Sequence, residues 1–210
     1  MADVRSSVSS YPNIMGRIIL TAMEEILGNS GINQILNHTQ MSRFIGNFPP
    51  KNLDRGFSFE ELSQIQVGME EIFGTYGGHG LALRSGRACF KYGLKEFGDL
   101  LQVDKVGLSL LPLSKRLHIG AKIFSEAFNH FSDQRVSLEE IPGHILWKIE
   151  HCPVCWGRRS NHPVCHLAVG ILQESLFWIS GGKFFDVKEV ECIAQGNLTC
   201  TIAINTEPLI

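Results

Sequence analysis

The stretch Arg135-Val-Ser-Leu-Glu-Glu-Ile-Pro142-Gly143-His-Ile-Leu-Trp-Lys-Ile-Glu150 changes the period of the chain, and with it the fold class. Apolar residues occupy alternate positions, Val136 and Leu138 before Pro142-Gly143, then Ile145, Trp147 and Ile149 after it. A strand shows the same face every second residue, so two strands joined at Pro142-Gly143 are predicted. Upstream the spacing is helical. Ile18, Ile19, Ala22, Met23, Ile26 and Leu27 share one face, Gly28 reads as a stop, and Asn33 to Asn37 reads as a short second helix. Ser58 followed by Glu61 is a capping-box pattern ahead of Leu62, Ile65, Met69, Ile72 and Phe73. A break is expected at Gly77-Gly78, then a helix from Leu81 to Phe97 in which Gly80, Gly86 and Gly93 mark close backbone approaches. Leu108 to Phe131 reads as another helix, with Pro112 tolerable only at its start. Downstream, Val164 to Ser180 is helical and closed by Gly181-Gly182, and Phe184 to Ala194 and Leu198 to Asn205 alternate as strands around Gln195-Gly196-Asn197. Helices, hairpin, helix and hairpin predict an α+β fold, helices packed on a small antiparallel sheet.

With 210 residues and 44% hydrophobic side chains, the chain has enough apolar material for a core without staples. The polar, Ser-rich residues 1–12 read as a flexible tail, and residues 13–210 as a single domain, since no repeat or Pro/Gly/Ser-rich linker divides them. Nineteen basic and 21 acidic residues are interspersed, for a formal charge of −2. That distribution offers no footprint for nucleic acid and no polybasic arm for anionic lipid. Charges interrupt every apolar run before it reaches the ~20 residues that cross a bilayer, and no secretory leader is recognisable. The expectation is a cytoplasmic protein, peripheral to a membrane at most.

Five of the six cysteines, Cys152, Cys155, Cys165, Cys192 and Cys200, fall in the last third of the chain, while Cys89 stands alone on a helical stretch. In a chain of this character clustered cysteines favour metal binding or plain burial over disulfides. Cys192 and Cys200 flank the last predicted turn, Glu189 precedes them, and Cys165 opens a helix whose free amides favour a thiolate. Three thiolates and a carboxylate would make a closed tetrahedral zinc site. A rival set starts from the clip Cys152-Pro-Val-Cys155 and adds Cys165 with His166 or Cys192; His151 and His162 also lie nearby in sequence. Spacing leaves both sets open, together with the reading in which the cysteines only pack. A thioredoxin-like role is disfavoured, because the segment after Cys155 reads as loop.

The ordered set Cys165-His-Leu-Ala-Val-Gly170, Gly181-Gly182, and Val187-Lys-Glu189-Val-Glu-Cys192-Ile-Ala-Gln-Gly196-Asn-Leu-Thr-Cys200 resembles the 4-vinyl reductase domain family, over a motif region of residues 143–206. Met15-Gly16-Arg17, Gly74-Thr-Tyr76-Gly77 and Gly86-Arg87-Ala88 are compatible with it, and the Cys-Pro-x-Cys clip with Trp178 resembles versions from photosynthetic bacteria. The resemblance implies a fold like the vesicle-tethering TRAPP subunits and the phenol-sensing domains of bacterial activators, a homodimer, and an apolar channel. It further implies structural zinc on Cys165, Glu189, Cys192 and Cys200, with a tetrapyrrole, isoprenoid or aromatic as the ligand class. A peripheral photosynthetic assembly is the partner it suggests.

From the residues themselves, pocket candidates are Phe124, Phe128, Trp147, Phe177 and Trp178, with His118 and His144 as orienting groups. Aromatics at this spacing also serve simply as core. No Gly-x-Gly-x-x-Gly fingerprint, flavin or iron–sulfur pattern is present, so no nucleotide cofactor is expected. Binding, carriage or sensing of a hydrophobic small molecule therefore ranks ahead of catalytic reduction of a vinyl group, and both rank ahead of a scaffold role.

Overall fold

A computed structural model describes residues 9–98 and 108–209. Within them the elements run β1 (Ser10–Pro12), α1 (Asn13–His38), β2 (Arg55–Ser58), α2 (Phe59–Phe73), α3 (Thr75–Phe97), α4 (Leu113–Phe131), β3 (Val136–Ile141), β4 (His144–Ile149), α5 (His166–Ser180), β5 (Phe185–Glu191) and β6 (Cys200–Pro208). The architecture is α+β. β3, β4, β6 and β5 lie in that order in an antiparallel sheet, and β1 pairs with β2 in a separate two-stranded ribbon.

Local sequence chemistry sets most of the boundaries. At the start of α2 the Glu61 amide donates to Ser58 Oγ (3.1 Å) while the Ser58 amide donates to the Glu61 carboxylate (2.8 Å), so both exposed amides are satisfied as the capping box requires. α1 is two helical segments meeting at a kink: Gly28 leaves helical geometry (φ 72°), as the predicted stop requires, and the second segment, which includes the predicted Asn33 to Asn37, runs on to His38. The break before α3 falls at Gly74 (φ 76°), not at Gly77-Gly78, which are helical. Pro112 directly precedes α4, where a missing amide costs nothing.

Alternation in β4 does what the sequence implies. Ile145, Trp147 and Ile149 are buried and face the helices, and Ile202 and Ile204 of the neighbouring β6 extend the same apolar face. Across from it, α3 and α5 touch backbone to backbone: a Cβ at Gly86 would sit 2.1 Å from the Leu167 carbonyl oxygen, and one at Gly170 would sit 2.0 Å from that of Leu83. Of the three α3 glycines expected to admit a neighbour, Gly86 does so; among the described residues no atom lies within 4 Å of such a Cβ at Gly80 or Gly93.

Sequence alone did not mark β1. Residues 1–8 of the predicted tail lie outside the described residues, but Ser10–Pro12 pairs with β2 and is buried. Its fixing comes from across the chain, as the Ser10 amide donates to the Asp133 carboxylate (2.8 Å) and the Tyr11 hydroxyl to Gln134 Oε1 (2.6 Å). Among the described residues no helix is long and apolar enough to cross a membrane.

Candidate functional site

Two features stand against each other at the C-terminal end of the fold. The first is a cavity of about 160 Å³ between α3, α4, α5 and the helix-facing side of the sheet. Phe90 and Phe97 of α3, Phe124 and Phe128 of α4, Trp147 of β4 and Trp178 of α5 supply most of its aromatic wall. Phe124 meets Trp147 with ring centroids 5.7 Å apart and Phe128 at 5.0 Å, in tilted and edge-on arrangements that leave no flat stack. Polar groups on the wall are few. The Tyr11 hydroxyl, bonded to Gln134, forms the principal polar spot, and burial holds its pKa well above the usual phenol value, so it stays a neutral donor and acceptor.

Phe124, Phe128, Trp147 and Trp178 thus lie where the sequence reading put them, and three other candidates do not. Phe177, one position from Trp178 on α5, turns toward Phe184 (centroids 4.9 Å apart). His118 is exposed and pairs with Glu140 on β3, and His144 sits at the β3–β4 turn beside the Pro142 carbonyl. Neither histidine lines the cavity, so an orienting role for them is withdrawn. Tyr11, Gln134, Phe90 and Phe97 were missed; helical spacing of Phe90 and Phe97 could have pointed to them, whereas nothing local to Tyr11 or Gln134 announces a partner 123 residues away.

The second feature is the cysteine cluster behind the cavity wall. Cys152 and Cys155 come from the loop after β4, Cys165 immediately precedes α5, Cys192 follows β5 and Cys200 opens β6. All five are buried and unpaired by disulfide. Their sulfurs are close: Cys152 to Cys165 3.5 Å, Cys155 to Cys200 3.3 Å, Cys165 to Cys200 3.6 Å, Cys192 to Cys200 3.9 Å and Cys165 to Cys192 4.0 Å. Glu189 of β5 joins them, accepting from the Cys165 amide through one oxygen (2.7 Å), while its other oxygen is buried with no hydrogen-bond partner among the described residues.

Local backbone explains the convergence. The Cys192 amide donates to Asn197 Oδ1, the Asn197 amide returns to the Cys192 carbonyl, and Gly196 takes the left-handed conformation (φ 95°), so the chain folds sharply and the Ile193 amide donates to the Cys200 sulfur (3.3 Å). The Ser160 amide donates to the Ala194 carbonyl and ties the Cys152–Cys155 loop to this turn. Arg158 clamps the same loop to α2 by donating twice to the Glu70 carboxylate (2.8 and 2.7 Å).

The electrostatics resist five anions in one buried place. Hydrogen bonds, that from Cys152 first, draw the Cys155 thiol well below its ordinary pKa. The bond to Cys155 pushes Cys152 up, burial pushes Cys165 up, and the bond from Cys152 leads the rise of Cys200. Burial likewise raises the Glu189 carboxyl. The raised groups resist ionisation in this buried place, and positive charge among the sulfurs would favour their thiolates.

Among the described residues two groups could hold a metal ion: Cys165, Glu189, Cys192 and Cys200, and Cys152, Cys155, Cys165 and Cys200. The rival set of the sequence reading is corrected in its last member. His166 points to a separate polar cluster, its ring 3.9 Å from that of His79, and burial lowers its pKa to about 4; Cys200 takes the fourth place.

No family model and no curated protein matches this chain. Among solved structures, it is similar to an H-NOX protein from S. oneidensis in the Fe(II)NO ligation state (12% identity, 92% of this chain and 98% of that one, TM-score 0.59). It is also similar to the Fe(II) unliganded H-NOX protein from K. algicida (14% identity, 92% and 95%, TM-score 0.53). A third likeness is to the phenol-responsive sensory domain of the transcription activator PoxR with phenol (19% identity, 72% and 77%, TM-score 0.51). At these identities the likeness is one of fold. The resemblance to the 4-vinyl reductase domain family is overturned by these findings, and the attribution to photosynthetic bacteria loses its support with it, while the likeness in fold to a phenol-sensing domain is found.

The H-NOX neighbours raise heme as a cofactor, and the residues here do not fit one. Heme iron takes an axial imidazole, thiolate, phenolate or thioether, the last usually with histidine. None of the eight histidines lines the cavity, and among its described lining residues there is no Lys or Arg to meet propionates. Cys89 is held protonated by burial, and the Tyr11 hydroxyl is neutral and bonded to Gln134.

Proposed function

We propose that this chain is a sensor for an apolar molecule about the size of one aromatic ring, in a domain whose C-terminal end is braced by zinc on the cysteine cluster. The cavity carries the reading. Its volume of about 160 Å³ matches the ~150 Å³ at which an apolar protein cavity stays dry and accepts benzene. Aromatic walls supply dispersion and edge-to-face contacts, and the Tyr11 hydroxyl offers one hydrogen bond to a ring substituent. A tetrapyrrole does not fit this volume. The vinyl-reduction alternative has lost the family resemblance that supported it.

Zinc is the cation that suits the other feature. Thiolates are soft ligands, the donor set is closed to water by burial, and such a site stabilises a fold instead of activating a substrate. Sensing follows from position: Pro153 and Val154, between two cysteines, line the cavity, as do Leu167 and Ala168 just after Cys165. Occupancy of the cavity and rigidity of the metal-braced segment act on the same residues.

The test is a titration with phenol, toluene and cyclohexane, read by thermal melting and by Trp147 and Trp178 fluorescence. A ligand at 100 times its Kd raises stability by about 2.7 kcal/mol, so melting shifts that grow with the logarithm of concentration and saturable fluorescence changes are expected for the two aromatic compounds, with phenol favoured over toluene through Tyr11. Equal melting shifts for all three compounds, with fluorescence changes that do not saturate, would refute the proposal.

A further inference from the structure

We propose that the two candidate quartets are one binuclear site, in which Cys165 and Cys200 bridge two zinc ions, one held further by Cys152 and Cys155 and the other by Glu189 and Cys192. This rests on the reading that the cluster binds metal, and it follows from what the two groups share. Each is a complete four-donor set, and Cys165 and Cys200 belong to both. Two four-coordinate ions that share two ligands require six donors, and six are present: five sulfurs and one carboxylate.

Geometry agrees with the count. Zinc–sulfur bonds of about 2.3 Å set the edge of a tetrahedron near 3.8 Å. The five sulfur separations run from 3.3 to 4.0 Å, and the shared edge from Cys165 to Cys200 is 3.6 Å. A single ion explains only part of this. If it sits on the Cys152 side, Glu189 keeps a buried oxygen with no partner beside a buried Cys192. If it sits on the Glu189 side, Cys152 and Cys155 remain packed against its ligands, 3.5 and 3.3 Å away, with nothing to coordinate. Two ions use every donor.

Charge points the same way. Five thiolates and a carboxylate carry six negative charges, which one divalent ion cannot offset in a buried site, and two reduce to the net charge of a single four-thiolate zinc centre. The thiols release their protons as the metals enter.

The experiment is zinc titration of the full chain followed by native mass spectrometry, with the C152S/C155S and E189Q/C192S double variants alongside, and cobalt(II) substitution read by electron paramagnetic resonance. Expected are two zinc ions per wild-type chain at saturation and one in each double variant. The signal of the one-cobalt form should fall when the second cobalt enters, because bridging thiolates couple the two spins. One zinc per wild-type chain would overturn the binuclear site while leaving a metal-braced cluster. So would two cobalt ions with fully additive signals, or two iron ions with inorganic sulfide in the purified protein. Zero zinc would overturn the metal reading itself. The wild-type stoichiometry decides even if a variant fails to fold.

Discussion

Replacing Gly93 by leucine should make the protein more stable and a worse receptor at the same time. Gly93 lies inside α3 and lines the cavity, and a Cβ built there meets no atom of the described residues within 4 Å. Two gains follow. Leucine is about 1 kcal/mol better than glycine in a helix interior. Its side chain enters space walled by apolar groups, and full burial of a leucine is worth about 1.5–3 kcal/mol, of which a partly open cavity returns roughly half. The sum is about 2 kcal/mol, a rise in Tm of about 4–8 °C for a chain of this size. Gly93→Ala is the control: it collects the propensity alone, about 1 kcal/mol, and leaves most of the cavity free.

Binding should move the other way. A leucine side chain takes enough of a 160 Å³ space that a ring no longer fits, and an affinity loss of at least tenfold, about 1.4 kcal/mol, is expected for phenol. The assay is thermal melting of wild type, G93A and G93L with and without phenol. General damage to the fold lowers both quantities together, so opposite signs are diagnostic. If G93L melts higher and binds phenol as tightly as wild type, the ligand does not occupy this cavity; if it melts lower, the space is not there.

The α3–α5 contact admits no side chain, so Gly170→Ala, whose Cβ would lie 2.0 Å from the Leu83 carbonyl oxygen, should cost about 3 kcal/mol in urea unfolding, and an unchanged midpoint would contradict the packing. Burial, as the largest influence, holds His79 below the usual histidine pKa. A group whose folded pKa is depressed favours its neutral form in the fold, so stability should be full above about pH 6.5 and fall as the pH drops through and below that value; His79→Gln should flatten this part of the denaturation profile, and an unaltered profile would assign the fall to other groups. Arg158→Met leaves the Glu70 carboxylate without its bidentate partner and frees the Cys152–Cys155 loop from α2. It should cost about 2 kcal/mol and speed reaction of those cysteines with a thiol reagent in metal-free protein, which wild-type rates in the variant would disprove.

What the sequence revealed were features that neighbours in sequence create. The hairpin around Pro142-Gly143, the capping box at Ser58 and the left-handed stop at Gly181 each depend on a few consecutive residues, and each stands in the structure as read. Gly28 belongs with them: its φ of 72° breaks the helical geometry as expected, and the fully buried Ile32, Ile35 and Leu36 pack the second helical segment that follows. β1 was invisible because three residues have no period, and its partners, β2 and the Asp133–Gln134 corner, are set by topology. Similarly, helical spacing told which face of α5 is apolar without separating Trp178, in the cavity wall, from Phe177, against Phe184. The cysteines gathered as their spacing and the turn at Gly196 suggested, yet that Cys165 and Cys200 belong to two sets at once depends on the β4–β6–β5 order, which no local pattern encodes.

That strand order also explains why a metal cluster and a ligand cavity share one end of the fold. Ile149 is paired with Cys200 in the β4–β6 register, so the strand that ends in the cavity wall at Ile149 leads directly into the Cys152–Cys155 loop beside Cys200. Cys165 then hands the chain to α5, whose Leu167, Ile171 and Leu172 form the opposite wall. Fixing the cysteines fixes both ends of that path, and Pro153 and Val154 cannot shift to admit a ligand without straining the sulfurs on either side of them. Linkage then works in both directions: if metal loading improves ligand affinity by some factor, ligand must improve metal affinity by the same factor. A phenol titration of the metal-loaded and metal-free protein, set beside zinc titrations with and without phenol, measures that factor twice. Equal factors above one place the cavity and the cluster in one coupled unit, and a factor of one in both directions would mean that the cysteines brace the fold without regard to what fills it.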